Sequence, residues 1–285
     1  MRSVASGRFA AIRAIVAAMA LLFCGSARAS YLNWGSTTNN GTAVTTGNVT
    51  GNFTAPIGSG NSTTTNYADG NAGAGVYDIG VTVTNNTGLS NPWVTKTPGI
   101  GHGNATDALI SGGDANSSFQ LIVGNETAAG YVQFKLSFLT SAYSLGVSNV
   151  SFTIYDVDYS SPQFIDQISS IQGILLNGTV ISPSTITTSV DNTYNSTNGT
   201  AYGTAVAGDT TGNGNVSISF GSAVISAFSF NWSNAGTGLG QQAISVSGVS
   251  YNRIVVPETD TALAAAGCCL FVMLWQFSLR SRHRS

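Results

Sequence analysis

Tyr131-Val-Gln-Phe-Lys-Leu-Ser-Phe138 decides the fold class of this chain. Val132, Phe134, Leu136 and Phe138 take one face, and Tyr131, Gln133, Lys135 and Ser137 take the other. A period of two belongs to an extended strand, whose successive side chains point to opposite sides; a helix needs apolar residues three and four apart. One apolar and one polar face predict a half-buried antiparallel strand.

The pattern continues outward from there. Val150–Ile154, Val216–Phe220, Ala227–Trp232 and Ile244–Tyr251 alternate in the same way, and shorter apolar runs fall at Val76–Val83 and Phe119–Val123. Between Gly173 and Ile181 two apolar runs flank Asn177-Gly178, a dipeptide that tolerates the positive φ of a two-residue hairpin turn. Helical periodicity is nearly absent, and no fixed-length repeat supports a solenoid or propeller. Short strands separated by Gly/Asn turns predict an all-β domain over residues 76–255. The expected architecture is an antiparallel β-sandwich, jelly-roll-like. Residues 30–75 are dominated by Asn, Gly, Thr and Ser and predict a low-complexity or irregular β region.

Only 8% of the 285 residues are charged, against about 25% in an average soluble protein. Between Ser30 and Val256 three basic residues, Lys96, Lys135 and Arg253, face ten acidic ones. Nucleic acid binding needs a basic footprint, so that function class is excluded. All three cysteines, Cys24, Cys268 and Cys269, lie in terminal apolar stretches. The domain between them has no disulfide and no thiolate metal site.

Both ends read as addresses. Arg2, Arg8 and Arg13 precede an apolar run from Ala14 to Phe23, and small residues at Ala27 and Ala29 mark a cleavage site before Ser30. Residues 1–29 are therefore expected to be a secretory signal peptide. At the other end, Val256-Pro257-Glu258 precedes an apolar stretch, 262–279, and then Arg280, Arg282 and Arg284. As a helix the stretch would measure about 27 Å, enough to span a membrane with the arginines inside. Taken alone, these features predict a single-span tail anchor with the large domain outside.

The order of these three parts, over roughly the last 30 residues, resembles the PEP-CTERM sorting signal of Gram-negative bacteria that make exopolysaccharide. The resemblance implies recognition by an exosortase, processing at or near Val256-Pro257-Glu258, and delivery from an inner-membrane-anchored precursor to the cell surface or extracellular matrix. Thr259 stands where that family usually has a second Pro. The block from Tyr131 to Tyr251 is also similar in pattern to β-sandwich modules of bacterial surfaces. In those modules a Phe-x-Ile-Tyr-Asp-x-Asp strand end, here Phe152 to Asp158, lies over a Phe-x-Phe-x-Trp strand, here Phe228 to Trp232.

Asp156 and Asp158, two apart at a strand end, with Asp166 in a following loop, form the candidate metal site. Hard carboxylate oxygens suit Ca2+, while the bland alternative is a set of Asx turns. His102, in a Gly-rich run, is the one histidine between the two end segments and reads as a loop residue. No Gly-x-Ser-x-Gly nucleophile elbow is present. Trp34, Trp93 and Trp232 offer flat faces on which sugars stack. Trp232, on an alternating strand, reads as core, and Trp93, in the turn Asn91-Pro-Trp-Val94, as the saccharide contact. The expectation is a non-enzymatic matrix or surface protein, with exopolysaccharide as a partner. The alternative is a secreted carbohydrate-active hydrolase, with Glu126 as the one glutamate between the end segments.

Overall fold

The computed structural model describes residues 27–32, 34, 45–50, 60–68, 78–86, 94–99, 118–123, 130–139, 143–237 and 242–254. The chain divides into two units: one is Ala29–Arg253, and the other joins Met1–Arg28 with Ile254–Ser285. Nearly all described residues fall in the first unit. Residues 1–26 of the expected signal peptide, Trp93, His102, Glu126, Val256-Pro257-Glu258 and the apolar stretch 262–279 lie outside the described residues. Among the described residues no helix is long and apolar enough to cross a membrane.

Among the described residues eighteen strands follow one another. The first six are β1 (Ala27–Leu32), β2 (Thr45–Thr50), β3 (Ser62–Ala68), β4 (Ile79–Asn85), β5 (Val94–Gly99) and β6 (Ser118–Val123). Next come β7 (Val132–Phe138), β8 (Val147–Tyr155), β9 (Tyr159–Ser160), β10 (Phe164–Leu175), β11 (Val180–Ile181) and β12 (Thr185–Thr188). The last six are β13 (Asn192–Asn195), β14 (Thr200–Gly203), β15 (Val216–Ser219), β16 (Ile225–Asn234), β17 (Gln242–Val246) and β18 (Val249–Ile254).

The alternation of residues 131–138 is realised in β7: Val132, Phe134, Leu136 and Phe138 are buried, while Gln133, Lys135 and Ser137 are half-buried. This strand lies between β4, where Val81 faces Leu136, and β16, where Phe230 faces Phe134. Antiparallel pairing extends this run from β2 through β3, β4, β7 and β16 to β10. A second antiparallel run goes from β5 through β6, β17, β8 and β15 to β12. The two meet at Ile225 opposite Val147. The fold is all-β and antiparallel. Strands β2 and β3, from the Asn/Thr-rich stretch expected to be irregular, extend the sheet past β4, because β3 finds a full partner strand there.

Aromatic side chains from the two runs pack on each other. Phe152 of β8 stacks on Phe228 of β16 at 4.2 Å, and Phe119 of β6 meets Phe134 of β7 edge-on at 5.4 Å. Buried rings of this kind each contribute about 1.5–3 kcal/mol. The expected turn at Asn177-Gly178 joins β10 to β11: Gly178 has φ +84°, and Leu175 N–H donates to the Thr179 carbonyl at 2.8 Å.

Candidate functional site: a cluster of aspartates

Strand β8 ends at Tyr155, and Asp156 follows with φ +64°. A short polar side chain is among the few that tolerate this left-handed backbone, and here it ends the strand alternation. Val157 N–H then donates to the Gly214 carbonyl at 2.9 Å, and Tyr159 N–H to the Ala205 carbonyl at 3.1 Å. The acidic segment is thus strapped to residues 205–214, about fifty positions away along the chain.

Asp158 is buried, and its Oδ2 accepts a 2.9 Å hydrogen bond from Ala207 N–H. Its own backbone bonds to Asp166 twice. Asp166 N–H donates to the Asp158 carbonyl at 2.9 Å, and Asp158 N–H to Asp166 Oδ2 at 3.4 Å. Asp166 is not the loop residue that the sequence predicts: it stands on β10, opposite Asn234 of β16. Ser161-Pro162 resembles open loop, yet it makes a tight turn that pairs β9 with the start of β10. Asp166 is fully buried, and its Oδ1 accepts the Trp232 Nε1–H at 2.8 Å.

The electrostatics follow from burial and crowding of like charge. Burial, then the negative charges of Asp158 and Asp209, push Asp156 up to about 8. Burial raises Asp158 to about 6. The Ala207 N–H and the hydrogen bond to Asp166 pull it back down, while Asp209 and Asp191 push it further up. Burial also holds Asp166 well above the usual carboxylate range, although the Trp232 N–H opposes this. No basic group enters any of the three. Asp156 Oδ1 is buried and meets no hydrogen-bond donor among the described residues.

The three aspartates singled out in the sequence are therefore brought together, and Asp209 and Asp191 join their field. Sequence reasoning missed those two; for Asp209 the signal available was the oxygen-rich run Gly208-Asp-Thr-Thr-Gly-Asn-Gly-Asn215, and Asp191 carried none. Burial and mutual repulsion thus favour the protonated form of these groups where no cation offsets their charge. Among the described residues no three acidic, histidine or cysteine side chains converge in metal-holding geometry.

The tryptophans expected to offer sugar-stacking faces sit differently. Trp232 is in the core, as its strand predicts, and Trp34 is also buried, donating its Nε1–H to the Ser247 carbonyl at 2.8 Å. Each indole has an apolar body to bury and a single N–H to satisfy, and both find an internal acceptor. Two cavities, of about 350 and 210 Å³, have no carboxylate in their lining. Comparison with protein-family descriptions, curated proteins and solved structures finds no match to this chain.

Proposed function

We propose that this chain is an exported, non-enzymatic component of the cell surface or extracellular matrix, sorted by an exosortase through Val256-Pro257-Glu258 and the span 262–279. One observation carries the reading. The compact unit Ala29–Arg253 begins at the last residue of the expected signal peptide, one position before Ser30, and ends three residues before Val256. The bounds of this unit support reading the residues outside it as targeting segments. Within the unit we read the two strand runs as the sheets of an antiparallel β-sandwich, jelly-roll-like in winding. The support is that β7, β8, β10, β15, β16 and β17 alternate between the runs.

Calcium is part of the proposal. Asp156 and Asp158, with loop carbonyls, would supply hard oxygen ligands, while Asp166, the third candidate, is engaged by the Trp232 N–H and the Asp158 backbone. The uncompensated charge and the donor-less Asp156 Oδ1 support this. The hydrolase alternative has less support, since neither cavity brings two carboxylates to face each other.

Mass spectrometry of the exported protein tests the sorting claim. The expected chain starts at Ser30 and ends near Glu258; a chain that retains Arg280 to Arg284 overturns it. Titration calorimetry with CaCl2 tests the metal claim, and absence of heat together with an unchanged melting temperature at millimolar Ca2+ overturns that part.

A further inference from the structure

The larger cavity, about 350 Å³, lies over the second strand run and carries no charged side chain. Its floor is built by register. Thr185 of β12 faces Ser219 of β15, which faces Ser151 of β8. One step along, Thr187 faces Ser217, which faces Thr153. Neighbouring strands lie about 4.8 Å apart, and alternate residues on one strand about 6.8 Å apart. The result is two parallel rows of hydroxyl groups on the side of β8 and β15 away from the core residues Phe152, Ile154, Val216 and Ile218. Thr153 and Ser217 hold each other at 3.0 Å, which fixes the middle of the floor. Tyr31, half-buried, adds aromatic surface to the same lining.

We propose that this groove binds an uncharged polysaccharide. Each Ser or Thr hydroxyl offers one donor and two acceptor positions, matching the hydroxyl-rich edge of a sugar chain, and the Tyr31 ring suits its apolar faces. The volume falls within the range of small-molecule clefts, roughly 300–1,000 Å³. Charge selects the class of ligand. The groove offers an anionic chain no cation, and ten acidic against three basic residues between Ser30 and Val256 repel one. The recessed, tyrosine-bearing lining fits a single chain better than a flat crystalline face. Because no carboxylate lines it, the groove holds the chain without cleaving it. The inference rests on the surface-protein reading only for the origin of the ligand; binding itself belongs to the groove.

The test is affinity electrophoresis of the purified exported protein in gels containing hydroxyethyl cellulose, laminarin or dextran, with alginate as the anionic comparison. At least one neutral glucan is expected to retard the protein, and alginate is not. Ser217 and Thr187 are exposed, so Ser217→Arg and Thr187→Arg should fold normally; melting temperature verifies this. Either change is expected to weaken retardation on the order of tenfold. Thr187→Ser and Val190→Arg, the latter on an exposed position outside the groove, should leave it unchanged. No retardation by any of the three neutral glucans overturns the proposal. So does retardation that survives both arginine variants, or binding to alginate alone. A retained C-terminal tail in the mass spectrum would overturn the sorting proposal and leave this one standing.

Discussion

Trp232 Nε1 donates a 2.8 Å hydrogen bond to Asp166 Oδ1, tying β16 to β10 at a fully buried carboxyl group. Among the described residues the indole is the side-chain N–H donor that reaches Asp166, and the carboxyl in turn accepts the Asp158 backbone N–H. A core tryptophan thus positions the acidic segment from beneath. Trp232→Phe keeps most of the ring but removes the donor. The expected cost is about 1–3 kcal/mol, the usual penalty for a buried polar group left without its partner. Urea denaturation measures it, and a loss no larger than that of an exposed substitution such as Val190→Arg contradicts the arrangement.

The aspartate cluster gives the protein an unusual pH profile. Asp156 and Asp158 bind protons more tightly folded than unfolded, at about 8 and about 6 against 3.8. The folded state therefore holds the extra protons, and stability falls as pH rises. The contribution is fully present below about pH 4 and is lost as pH climbs through about 6 and then about 8. Thermal melts in EDTA are expected to give a lower melting temperature at pH 9 than at pH 5. A flat or rising profile contradicts the burial of these groups.

Replacing the titrating group should remove its share of that slope. Asp156→Asn cannot ionise, and the loss of stability between pH 6 and pH 9 should shrink relative to the parent chain. Millimolar Ca2+ should flatten the parent's profile by neutralising the same carboxylates. It should do much less for the variant. Melts of both chains with and without Ca2+ read the two effects separately.

Gly203 at the end of β14 lies hard against the Asp158 backbone, where an added Cβ would run into the Asp158 carbonyl group. The obstacle is main chain within a strapped segment, so it cannot swing aside as a side chain would. Gly203→Ala is expected to cost about 3 kcal/mol, the upper end of overpacking penalties. It should also disturb the pH profile, since the backbone it displaces carries Asp158. A neutral effect in chemical denaturation would show that residues 203 and 158 do not touch.

The Phe152–Phe228 stack at 4.2 Å joins the two strand runs. Phe152→Ala should destabilise by about 3–5 kcal/mol, through lost burial and the cavity left behind. A double-mutant cycle with Phe228→Ala should return a coupling of about 0.5–1.5 kcal/mol beyond area burial. Independent effects of the two changes would place the rings apart.

Local chemistry was legible in the sequence because backbone geometry imposes it residue by residue. The alternation of Tyr131 to Phe138 determined both a strand and its buried face, and Asn177-Gly178 determined a turn. Strands β9 and β12 to β14 were not legible: they are two to four residues long and, unlike the equally short β15, carry no pair of alternating apolar residues. Tertiary structure alone decided what meets what. Asp209 comes to the field of Asp156, the Trp232 N–H comes to Asp166, and six Ser and Thr hydroxyls from three strands fall into two rows. Each of these depends on which strands pair and in which register. That choice belongs to the core as a whole, where a one-residue slip would turn every inward side chain outward.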